Sequence, residues 1–244
     1  MSKKSTPVYL FLTAGFAVFA LVLSSCGGHE EENTTMKDTE VTTDTISSEV
    51  RVNFDLLRVG IPSPGKIAGK LSTAKINYNK GVLISSGKAG GFSTNYQKAL
   101  GMGAFGADLG LAAAYNQPQD ALEYLNQMGK LAADLGISSA FDPETSKQLL
   151  ASISKPDTFQ LMLDRTFDKA ERNLRSNQRV AISVLIAAGG WVEGLYTSIE
   201  LLSSNAKGEN TKPLYNDIAV HCAGYEYVFG LLEAYKSNAD CAKL

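Results

Sequence analysis

NQRVAISVLIAAGGWVEGLYTSIELLSS, residues 177–204, decides the fold class. From Val180 to Val192 the stretch carries no charge and is apolar almost all round, the pattern of a helix buried on most faces rather than lying on a surface. Arg179 and Glu193 bracket a run well short of the ~18–20 residues a bilayer requires, so it reads as the central helix of an all-α domain and not as a membrane span. Gly189 and Gly190 each cost roughly 1 kcal/mol in a helix relative to alanine, which close approach of a second helix would explain. Trp191, the one tryptophan, follows at once, and Glu193 sits in the same turn.

On either side the pattern stays helical. After a polar loop at 203–211, a last helix is expected over about 213–235, with a tail at 237–244. Upstream, Lys155-Pro156-Asp157 starts a helix with Phe159, Leu163 and Phe167 inside, and Asp142-Pro143-Glu144 caps a short one reaching Ile153. Before these lies a hairpin of two helices, 93–115 and 118–135, the second ended by Gly136 as a C′ glycine. SGKAGG at 86–91 is a loop by composition. It lacks the Lys-Ser/Thr ending and preceding strand that a phosphate loop requires. A helix over 66–85 and another with Val50, Phe54, Leu57 and Ile61 on one face complete the set. No strand-period segment of convincing length occurs. The expectation is a single all-α bundle of about seven helices over 49–244.

The 244 residues and 44 % hydrophobic content allow one sizeable core. Acidic residues outnumber basic ones, 25 to 23, and no Lys/Arg-rich run appears, which argues against a nucleic-acid partner. Lys3 and Lys4 followed by the uncharged apolar run from Val8 to Leu23 form a signal-peptide pattern. It ends Leu23-Ser24-Ser25-Cys26-Gly27, which resembles the lipobox of bacterial lipoproteins. That resemblance implies removal of 1–25, palmitate-type acylation of Cys26, and attachment to a membrane, here the outer membrane. Residues 26–48 then read as a solvated acidic tether, with Glu30, Glu31, Glu32, Asp38, Glu40 and Asp44 against the single Lys37. The acidic cluster resembles the surface-export signal of Bacteroidota-type lipoproteins; a plain charged linker is the alternative.

Several landmarks carry a wider resemblance: Ile61-Pro62-Ser63-Pro64, Gly103-Ala104-Phe105-Gly106-Ala107-Asp108-Leu109, Tyr115-Asn116-Gln117 with the following Asp120-Ala121-Leu122-Glu123-Tyr124-Leu125, and Gly189-Gly190-Trp191-Val192-Glu193-Gly194-Leu195-Tyr196. They look like a group of uncharacterised helical lipoproteins of Bacteroidota-type bacteria. The resemblance spans Ile61 to about Thr197 and implies an exported location and a helical fold, but no activity.

Asp108 and Glu193 are the candidate site. Each sits among glycines and large apolar residues, so both are expected inside the domain facing one polar cluster. Tyr115, Asn116, Trp191 and Tyr196 belong to that candidate polar core or ligand pocket, with Tyr96, Arg172 and Arg179 as further donors. Asp217 and His221, at i and i+4 on the last helix, read as a helix-surface ion pair; no metal site and no cofactor is expected. Cys222 and Cys241 are expected to form a disulfide, since an exported compartment favours one and lipid consumes Cys26. Leu109-Gly110 with the helix after Pro118 also resembles part of a tetratricopeptide hairpin, but no second copy appears and such repeats need several stacked units. No nucleophile elbow occurs, and among 49–244 only His221 could serve as an imidazole base. The expectation is a membrane-anchored, non-enzymatic lipoprotein binding a protein partner or an envelope component. The alternatives are a hydrolase working through buried carboxylates such as Asp108, Glu193 and Glu226, or a small-ligand carrier with a pocket between helices.

Overall fold

The computed structural model describes residues 60–61, 63–205 and 211–244. The signal segment, Cys26, the acidic tether and the helix expected around Val50, Phe54 and Leu57 lie outside the described residues. Eight helices and no strand occur among the described ones: α1 Pro64–Thr73, α2 Asn95–Ala114, α3 Pro118–Asp134, α4 Pro143–Ala151, α5 Pro156–Ser176, α6 Val180–Asn205, α7 Lys212–Ala223 and α8 Tyr225–Ala234. The fold is an all-α helical bundle.

α6 runs through the middle of it, buried from Val180 to Leu202 on all but its outer stripe. It is long and apolar enough to cross a bilayer, but 78 % of that apolar window is buried inside the bundle. Burial by protein, rather than shortness of the apolar run, is what marks it as a core helix. Its closest neighbour is α2, and the glycines account for the approach. A Cβ on Gly103 would lie 1.9 Å from the Ile186 carbonyl oxygen, and one on Gly189 would lie 2.1 Å from the Leu100 carbonyl oxygen. Backbone therefore rests on backbone where the two helices cross. The other face of α2 packs Phe105 against Tyr124 of α3, with ring centroids 5.9 Å apart, above Met128, Leu131 and Leu135.

Local signals set most helix ends. Thr94 and Gln97 form a capping box that starts α2. Asp142 accepts the Thr145 N–H at 2.8 Å at the start of α4, and Pro156 opens α5. Asn116, at φ +52°, turns the chain out of α2 so that Pro118 can begin α3 antiparallel to it. Gly136, at φ +69°, ends that hairpin.

Three expectations are corrected. The helix expected over 66–85 stops at Thr73. Lys75 takes a left-handed φ of +60°, and residues 74–92 continue as irregular chain with 3₁₀ turns at Lys80–Val82 and Ser86–Gly91. Polar anchors on α3 hold this segment instead: Tyr78 Oη donates to Asp120 at 2.7 Å, Lys80 pairs with Asp120 and Glu123 at 2.6 and 2.9 Å, and Ser86 donates to Glu123. The last helix is two. Gly224 bonds back to the His221 carbonyl three residues away, at 3.0 Å, and splits α7 from α8. The Cys222–Cys241 disulfide is not formed. Cys222 is exposed on α7, while Cys241 is buried with its thiol 3.9 Å from the Ala181 carbonyl oxygen. The tail turns in against the start of α6 rather than retracing the last helix, which takes the second sulfur elsewhere.

Candidate functional site

Asp108 on α2 and Glu193 on α6 meet where the two helices press together. Asp108 is 0 % exposed and Glu193 8 %, and their carboxyl groups stand within hydrogen-bonding reach of each other. One Asp108 oxygen, Oδ2, accepts the Ile84 N–H at 3.0 Å, and the Ile84 carbonyl accepts the Tyr124 hydroxyl at 3.0 Å. A single residue of the irregular segment is thus clamped between α2 and α3, through the two peptide groups on either side of its Cα. Asp108 Oδ1 and Glu193 Oε1 receive no donor from the protein. Two buried carboxyls in contact satisfy each other only by holding a proton between them. Burial, and then the Glu193 charge, push Asp108 far above the usual carboxylate range. Burial raises Glu193 as well, offset in part by the positive charge of Lys88 on the Ser86–Gly91 turn.

Glu193 also lines an open groove of about 540 Å³ between α2, α6 and α8. The other walls are mostly apolar and aromatic: Phe92, Leu100, Trp191, Val192, Tyr225 and Phe229, with the amide of Gln97 and Leu244 of the tail beside them. Among the described residues Glu193 is the only charged side chain in the lining. Asp108 does not reach the groove; it is sealed behind Glu193 and Ile84.

Trp191 is held in place by a histidine thirty positions away in the chain. Its indole N–H donates to the His221 carbonyl at 2.9 Å, and His221 Nε2–H donates to the Trp191 carbonyl at 3.1 Å. The rings are parallel within 6° at a centroid separation of 6.0 Å, an offset stack. This clasp joins α6 to α7 and leaves Trp191 half-buried as a fixed wall of the groove. Its histidine is 1 % exposed, so the expected surface ion pair with Asp217 does not exist; Asp217 pairs with Lys70 of α1.

The remaining candidates scatter. Tyr115 and Asn116 lie about two helical turns beyond Asp108, ~10 Å along α2 at 1.5 Å per residue. There the buried Tyr115 hydroxyl finds no protein partner and its ring packs 5.5 Å from Tyr78. Tyr196 is 49 % exposed on the outer side of α6. Arg179 donates to the Leu135 carbonyl at 2.7 Å, Arg172 is exposed, and Tyr96 lies under Lys243. None of the side-chain donors expected for the carboxyl pair is the one used. A backbone N–H, that of Ile84, takes the place, and no side-chain pattern announces a backbone group.

Two other recesses are less suited to a ligand. One of about 190 Å³ lies between α1, α2, α5 and α6, where Gln160 already bonds Asp164 at 2.7 Å and Ser63 at 3.1 Å. A wider recess of about 810 Å³ beside α1 and α7 has Lys70 and Asp217 in its lining, and these neutralise one another. Among the described residues no group of three or more His, Cys, Asp or Glu is placed to hold a metal ion.

The pair's chemistry is constrained by its geometry. Glycoside hydrolysis needs carboxyls flanking the scissile bond at roughly 5–10 Å. These two stand within hydrogen-bonding reach of each other, and Asp108 is absent from the groove lining. The arrangement suits binding better than bond cleavage: an apolar trough with a single buried acid at its floor. No protein-family model, curated protein or solved structure matches the chain.

Proposed function

We propose that this chain is an outer-membrane lipoprotein, anchored through acyl groups on Cys26, whose helical domain binds a small amphiphilic component of the envelope without chemically altering it. The observation that carries the binding half is the groove. Its volume of about 540 Å³ falls in the ~300–1,000 Å³ range of small-molecule sites, and its aromatic walls with one charged group match their usual composition. The anchoring half rests on the lipobox-like sequence at Cys26 and on the Bacteroidota-type lipoprotein landmarks.

Native mass spectrometry of the chain released from envelope membranes tests this reading. A bound small molecule is expected, and Val192→Trp, which fills the groove from an exposed position, should abolish it without loss of melting temperature. An acyl-free Cys26 in the mature chain would remove the anchor from the proposal. Retention of the molecule in the Trp variant would remove the groove.

A protein partner is the second reading. The observation favouring it is the exposed stripe Val192, Tyr196 and Ile199, at i, i+4 and i+7 along the outer side of α6.

A further inference from the structure

The chemistry of the one charged side chain among the groove's described lining residues narrows what can lie in it. Ile84 N–H occupies one oxygen of Asp108. The orphan oxygens Asp108 Oδ1 and Glu193 Oε1 belong to carboxyls within reach of each other, so one shared proton satisfies both and leaves the pair with one negative charge. What remains is the second oxygen of Glu193, on a side chain more than nine-tenths buried that lines the groove. Among the described residues no cationic side chain lines the groove with it. Lys88 lowers the Glu193 pKa in part from its turn, but it is exposed there, outside the lining, and forms no ion pair with Glu193 that would occupy this oxygen. Asp108 from α2, Tyr124 from α3 and Lys88 are the ionisable groups that act electrostatically on Glu193.

A ligand carboxylate would bring a second anion against this pair at low dielectric. A hydroxyl would donate one bond and leave the charge. A protonated amino group supplies the donor and the counter-charge together, as a charge-assisted hydrogen bond. Along the rest of the groove, Phe92, Leu100, Trp191, Val192 and Phe229 offer apolar surface, with Gln97 the one uncharged amide among the described lining residues.

We propose that the groove's occupant is a primary aliphatic amine, its chain along the aromatic walls and its ammonium on Glu193. This deepens the small-molecule reading above and rests on it.

The test uses the full chain held in amphipol, with the emission of Trp191, the only tryptophan, as readout. Three probes of one chain length are titrated: octylamine, octan-1-ol and octanoate. Octylamine should shift Trp191 emission saturably and bind at least about tenfold tighter than the alcohol, with octanoate weakest. Glu193→Gln should cut octylamine affinity about tenfold and leave octanol within about twofold. Should that variant not fold, the unaltered chain still answers. Its octylamine affinity should climb from about pH 6.5 to about pH 8 as the carboxyl pair loses protons, while octanol affinity stays flat over that range, in which His221 remains neutral. Octanoate binding as tightly as the amine, or amine binding indifferent to both the variant and pH, would overturn the proposal. If the alcohol and acid bind without any preference for the amine, the groove stands and the amine falls. If none of the three moves Trp191 emission, the groove reading itself fails.

Discussion

At the scale of single residues, the Asp108–Glu193 contact sets how stability depends on pH. Both carboxyls ionise less readily folded than unfolded, Asp108 up at about 9 and Glu193 at about 7, because burial disfavours their charged forms. A raised folded pKa contributes stability that is complete below the unfolded value, near pH 4, and drains away as pH rises through the folded value. The pair therefore weakens the fold progressively from about pH 4 to about pH 9. Glu193→Gln removes one ionisation and the like-charge repulsion while keeping shape. Urea unfolding should show the variant more stable than the parent at pH 8 by about 1–3 kcal/mol, with the gap closing toward pH 5. A variant less stable than the parent at pH 8 would mean that Glu193 is held ionised by a partner.

Between elements, the α2–α6 crossing carries the fold. The Gly103 and Gly189 positions have no room for a methyl group, since its contacts would be carbonyl oxygens that cannot rotate away. Gly103→Ala should cost ~3 kcal/mol or more, read as a fall in melting temperature, because the helices must part along their whole contact. Gly129→Ala on α3 is the internal control: nothing lies within 4 Å of its added Cβ, so helix propensity alone should stabilise it by ~0.5–1 kcal/mol. This crossing was legible in the sequence, because paired glycines inside an uncharged apolar run admit few explanations. So were the caps at Asp142, Pro156 and Gly136, whose chemistry is local. Residues 74–92 were not. Val82, Leu83 and Ile84 look like a helical cluster, but tertiary anchors on Asp120, Glu123 and Asp108 outweigh that propensity. The split at Gly224 is equally quiet, because its φ of −59° is ordinary for a helix and only the bonding pattern changes.

Across the whole molecule, the groove assembles from parts distant in sequence: Phe92 before α2, Trp191 and Glu193 on α6, Tyr225 and Phe229 on α8, and Leu244 in the tail. Of the residues expected to form one site, Asp108, Glu193 and Trp191 fall together and Tyr115, Asn116 and Tyr196 do not. Helical position fixes a residue's face but not which neighbouring helix arrives there. Nothing in the sequence linked Trp191 to His221.

That clasp has a consequence for acid. His221 Nε2–H is committed to the Trp191 carbonyl, which leaves buried Nδ1 as a bare lone pair with no protein partner. A proton added there would make a cation with nothing to receive it, and burial lowers the folded pKa below the ordinary 6.5 despite the Trp191 bond. A depressed folded value gives stability that is present above pH 6.5 and lost as the medium acidifies through that value, the opposite slope to the carboxyl pair. His221→Phe, which keeps a flat ring against Trp191, should cost about 1 kcal/mol at neutral pH through the missing hydrogen bond, and its unfolding free energy should decline less steeply than the parent's on acidification. Acid should therefore loosen α7 from α6 first, and with it the wall of the groove that Trp191 provides.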